Sequence, residues 1–113
     1  MNVNVEIERL LESAAQVYQE ESGGMGLCQL QKDGRITGGL KYCEGQMAAL
    51  YGAKKILMNP APASEAIRLF IGALRDEWRR ELANHQQKAR PSMQWTAYWQ
   101  GGVDALEAIL ETV

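Results

Sequence analysis

Only one histidine and two cysteines occur among the 113 residues, and that scarcity removes most metal and nucleophile chemistry at once. Cys28 and Cys43 lie far apart, without a Cys-x-x-Cys pair and without a second histidine to complete a zinc set. Neither metal nor cofactor is expected. No basic segment followed by an apolar stretch opens the chain at Met1–Glu6, so no signal peptide is read, and the two thiols are expected to be reduced in a cytoplasmic setting. Long hydrophobic runs are missing as well, which excludes a helix that spans a bilayer. Charge of one sign is not in excess. Twelve basic and fourteen acidic side chains give a net charge of −2, so nucleic acid would have to be held by a local basic patch.

What is present is ordinary globular material. Hydrophobic residues make up 46% of the chain and charged residues 23%, which places it well away from disordered compositions. A chain of this length buries roughly 65% of its unfolded surface and supports one core, so residues 1–113 are read as a single domain.

Apolar spacing of three and four residues predicts four helices. The first covers about Val3 to Glu21, with Ile7, Leu10, Leu11, Ala14, Val17 and Tyr18 on one face, and Ser22-Gly23-Gly24 ends it. The second runs from about Leu40 to Met58 and stops at Asn59-Pro60-Ala61-Pro62, because proline pushes the preceding residue out of helical geometry. Ser64 is a suitable N-cap for the third, about Glu65 to Lys88, whose stripe is Ile67, Phe70, Ile71, Leu74, Trp78 and Leu82. Pro91 bounds it, and Ser92 caps a fourth helix that ends near Glu111. Between the first two helices, Leu27–Gln31 and Arg35–Thr37 flank Lys32-Asp33-Gly34, a hairpin turn signal, so a short β-hairpin or a loop is expected there. The fold class is therefore mainly α, an antiparallel four-helix bundle-like domain.

One pattern repeats. Tyr42-Cys43-Glu44-Gly45-Gln46-Met47-Ala48-Ala49-Leu50 aligns without a gap with Tyr98-Trp99-Gln100-Gly101-Gly102-Val103-Asp104-Ala105-Leu106. Tyr42, Gly45 and Ala49 share a helix face, as do Tyr98, Gly101 and Ala105. A glycine inside a helix costs ~1 kcal/mol against alanine, a cost that close packing offsets. Each helix is thus expected to press a glycine-alanine groove against a neighbour. The other helix of the pair is one such neighbour, and a partner surface or a chance match are the alternatives. The Tyr98–Leu106 stretch resembles a segment common in small bacteriophage and prophage proteins, often encoded among virion-assembly genes. That resemblance covers about twenty residues of the last helix and, more loosely, the Tyr42 copy. It implies a phage accessory or assembly role, with a virion-associated location as the counterpart of the cytoplasmic one, and it carries no functional residue.

Three further features invite a function. Trp95, Tyr98 and Trp99 cannot all face one narrow core stripe, so at least one belongs at an edge or an interface. Arg68, Arg75 and Arg79 stack along the third helix and are candidates for phosphate or an acidic partner, although Asp76, Glu77 and Glu81 are interleaved with them. His85 continues the apolar stripe of that helix without a visible orienting carboxylate, so a packed histidine is the simpler reading. Gly38-Gly39-Leu40-Lys41 lacks the Gly-Lys-Ser/Thr ending of a phosphate loop. Taken together, the sequence predicts a non-enzymatic interaction or assembly protein, with a protein partner or self-association as its mode. The alternative is a small regulatory protein that binds nucleic acid, or a nucleic-acid-binding partner, through the arginine face.

Overall fold

A computed structural model describes residues 3–22, 38–58 and 64–112. They form α1 (Val3–Ser22), α2 (Gly38–Met58), α3 (Ser64–Gln86) and α4 (Met93–Leu110), with no strand among the described residues. The proposed hairpin arms, Leu27–Gln31 and Arg35–Thr37, lie outside the described residues. Gly38 and Gly39 belong to α2 and open it two residues before Leu40. Pro91 lies between the end of α3 at Gln86 and the capped start of α4. Ser92 is extended, at φ −78° and ψ 127°, and its Oγ accepts the Trp95 N–H at 3.3 Å. This satisfies one of the amides that a helix N-terminus leaves without a partner.

Contacts along the helices fix their directions. Glu8 pairs with Lys54 at 2.6 Å, and the Glu21 carboxylate lies against Gly39, so α1 and α2 are antiparallel. The α3–α4 pair is antiparallel too, with Arg79 bonded to Glu107 at one end and His85 beside Ser92 at the other. In contrast, α2 and α4 run the same way. Lys41 sits over Trp95 near their starts, while Leu50 and Ala105 line one cleft further along. Successive helices therefore alternate in direction, as in an up-and-down bundle. The molecule measures 46 × 34 × 21 Å, so its thinnest dimension is two helix diameters.

The core lies where α1 and α3 close over the α2–α4 pair. Ile7, Leu50, Ile71, Leu106 and Ile109 are at most 1% exposed, and Ala49 and Ala53 are sealed completely. Two residues of the expected apolar faces are not in it. Phe70 is 50% exposed and Val17 40%. Phe70 precedes Ile71 in the helix, so the turn that buries Ile71 carries its neighbour toward solvent.

The two hairpins share part of a spacing pattern. Positions of α2 recur 56 residues later in α4, as Tyr42 and Tyr98 do, and positions of α1 recur 64 residues later in α3. Val3, Ile7, Leu10 and Ala14 correspond in this way to Ile67, Ile71, Leu74 and Trp78. Leu74 contacts Gly52 across α3 and α2, and the matching pair, Leu10 and Ala108, borders one cleft across α1 and α4. The structure is an approximate two-fold arrangement of helical hairpins with α2 and α4 at its centre.

Candidate interaction surfaces

The repeated motif forms the contact between α2 and α4. A Cβ at Gly45 would overlap the Tyr98 carbonyl oxygen and lie 3.0 Å from its Cα; one at Gly101 would overlap the Tyr42 carbonyl oxygen and lie 3.2 Å from that Cα. Backbone meets backbone in both directions, and only glycine allows it. Both glycines are buried, with Ala49 and Ala105 sealed beside them. The groove expected on each helix is thus filled by the other helix of the same chain. Tyr42 and Tyr98, which flank the seam, are both half-buried.

Their hydroxyls differ in surroundings. Tyr42 donates to Asp104 Oδ2 at 2.5 Å, and Gln100 Nε2 donates to the other carboxylate oxygen at 2.8 Å. Burial, followed by the Asp104 hydrogen bond and charge, pushes the Tyr42 hydroxyl up to about 12. In the other copy Ala48 stands where Asp104 does, so Tyr98 has no equivalent carboxylate and is raised mainly by burial. Sequence reasoning misses Asp104, although this mismatch between the copies is its signal there.

Tyr98 joins an aromatic cluster at the α3–α4 end instead. Its ring lies 5.5 Å from Trp78, 5.1 Å from Trp99 and 5.2 Å from Trp95, and Trp78 lies 4.9 Å from Trp99. Tilted and edge-on arrangements of this kind suit the ring quadrupoles. Gly102 makes the room, since a Cβ there would press into the Trp78 ring. Lys41 caps the cluster with its Nζ 4.5 Å from the Trp95 ring centre and 3.4 Å from Glu44 Oε2. That oxygen is buried and accepts no hydrogen bond, so it holds Lys41 by charge alone. Trp78 joins the cluster from the α3 stripe, and Lys41 is the member that the sequence does not announce. Trp95 stays 43% exposed and Met93, two residues earlier, 81%. A 240 Å³ cleft walled by Trp95 and Trp99 opens beside them, with Glu81, Asn84, His85 and Lys88 on its α3 side.

His85 holds the α3–α4 connection. It is 8% exposed, and its Nε2 faces the Ser92 amide nitrogen at 3.0 Å and the Ser92 carbonyl oxygen at 3.2 Å. Both partners are backbone, which gives the ring a structural anchor. Two of the three arginines are engaged by carboxylates. Arg75 pairs with Asp76 at 3.0 Å, Arg79 with Glu107, and Arg68 lies exposed in the N-terminal part of α3. Cys43 is buried and unpaired, and its thiol is pushed up first by burial and then by Glu21, the reverse of what a reactive thiolate needs. Cys28 lies outside the described residues. Among the described residues no group of three or more histidine, cysteine or acidic side chains could hold a metal, and no helix is long and apolar enough to cross a membrane.

No protein-family profile matches the chain, and no curated protein or solved structure shows significant similarity to it.

Proposed function

We propose that the chain is a non-enzymatic interaction protein that acts in assembly, through a surface at the start of α4. The observation that carries this reading is the 43% exposed Trp95, at a cleft bounded by two indoles. An aromatic anchor held from behind by Lys41 and by Tyr98 loses little side-chain freedom on binding, which is what makes tryptophan effective at interface centres. Self-association, or capture of an apolar segment of a protein partner, uses this surface. A bacteriophage accessory or virion-assembly role is the setting that the Tyr98–Leu106 resemblance supports, with the protein in the cytoplasm or the virion.

Size-exclusion chromatography with light scattering, read at two wavelengths and at low and high salt, tests the self-association form. The expected result is a defined oligomer without nucleic acid that persists at high salt and dissociates on Trp95→Ser. A mass that falls steeply with salt would point to ionic contacts instead. A monomer unaffected by Trp95→Ser would end the self-association form.

A further inference from the structure

The approximate two-fold relation between the hairpins leaves one difference that matters for binding. On the α3 side, the space between the outer helix and the α2–α4 pair is filled by the Trp78 indole, which lies against Gly102, Tyr98 and Trp99. On the α1 side the matching positions are Ala14, Gln46, Tyr42 and Cys43. Alanine stands where the indole should be, and a 290 Å³ cleft remains between α1, α2 and α4, with Gln46 and Leu10 among its walls. We infer that this cleft is a binding site for a small planar aromatic molecule of indole size that carries a hydrogen-bond donor.

Three observations support the occupant. The first is size, because Ala14 leaves open on this side what the Trp78 indole fills on the other, with Gln46 as a wall where Gly102 stands in the other half. The second is polarity. The walls are aliphatic where Leu10, Ala14, Leu50 and Ala108 meet, and they end at the Tyr42 hydroxyl and the Asp104 carboxylate. Asp104 is the residue that the other copy replaces by Ala48, so the polar end exists on this side alone. Each carboxylate oxygen has two lone pairs. With Tyr42 on one oxygen and Gln100 on the other, capacity remains for a ligand N–H. The third is access. Ser13 is exposed and Val17 is 40% exposed at the rim, so the cleft opens to solvent, while Ala14 at its wall is only 5% exposed. Small-molecule sites combine these features, with apolar walls and few convergent polar groups.

The test is a titration of the ¹⁵N-labelled full chain with indole, followed by amide chemical shifts. Saturable shifts are expected at Ala14, Gln46, Ala105 and Ala108. Binding should vanish in Ala14→Trp, which supplies the missing ring, and also in Ala108→Leu, which narrows the cleft from the opposite wall should the first variant not fold. 1-Methylindole, which lacks the N–H, should bind about tenfold more weakly, the factor expected for one hydrogen bond to a charged acceptor. No saturable shift with indole would overturn the inference. So would shifts confined to Trp95 and Trp99, or shifts that survive both substitutions.

Discussion

At the scale of single residues, Gly45 and Gly101 carry the contact on which the rest is built. Alanine at either position gains ~1 kcal/mol of helix propensity, but its Cβ drives into the carbonyl of the facing helix, and overpacking of this kind costs roughly 1–3 kcal/mol, occasionally more. Backbone cannot swing aside as a side chain can, so the penalty belongs at or above the top of that range. Urea denaturation should show Gly45→Ala and Gly101→Ala each destabilised by about 2 kcal/mol net. Gly72 provides the contrast. It lies inside α3 with nothing within 4 Å of the place a Cβ would take, so Gly72→Ala should add about 1 kcal/mol. Equal effects at all three positions would mean that the seam is looser than described.

Tyr42 gives a prediction in pH. Its hydroxyl is raised from 10.0 to about 12, first by burial. The folded state therefore holds the proton more tightly than the unfolded state does. The associated stability is fully present below pH 10 and is lost as pH rises from 10 to about 12. Tyr42→Phe should flatten that part of the stability profile relative to wild type, while Tyr18 and Tyr98, also raised, continue to contribute in both proteins. Identical alkaline slopes for the two proteins would contradict the Tyr42–Asp104 bond.

At the scale of elements, the start of α4 is the most local feature. Ser92→Ala removes the cap on the Trp95 amide and should cost about 1 kcal/mol, measured as a lower denaturation midpoint with an unchanged slope. The Arg79–Glu107 pair, at the opposite end of the α3–α4 contact, is half in solvent, at 51% and 38% side-chain exposure. Pairs of this kind contribute little, so α3 is held on α4 by Trp78 against Gly102 and not by charge. These elements also show what sequence conveys. The end of α2 follows from the proline positions, the Ser92 cap from its hydroxyl, and the seam from the Tyr-x-x-Gly repeat, because these are local signals. The parallel sense of α2 and α4 follows only from the alternating directions of an antiparallel bundle, since a face pattern is the same in either direction. The burial of Lys41 does not follow, since it needs Trp95 and Glu44 brought together from two helices. Phe70 reads as a core residue because a spacing of three from Ile67 fits a helical stripe as well as the spacing of four that Ile71 satisfies. Of the candidate residues, Trp95 is legible as an edge aromatic, whereas Asp104 shows in the sequence only as a mismatch with Ala48 and takes its meaning from its contact with a tyrosine 62 residues away.

At the scale of the whole molecule, two hairpins made of sequence neighbours meet through helices whose matching positions are 56 residues apart, as Tyr42 and Tyr98 are. That arrangement has a kinetic consequence. Each hairpin closes through local contacts, which form quickly, whereas the glycine seam must be found by two preformed units searching for one register. Docking of the hairpins is then the slow step of folding. Stopped-flow refolding should be slowed by Gly101→Ala, and most of the stability lost through Ser92→Ala should appear in the same arm if the α3–α4 hairpin is already closed at the barrier. If Gly101→Ala instead leaves refolding unchanged and only accelerates unfolding, the seam is made after the barrier, and the chain commits to its topology before its two closest backbones have met.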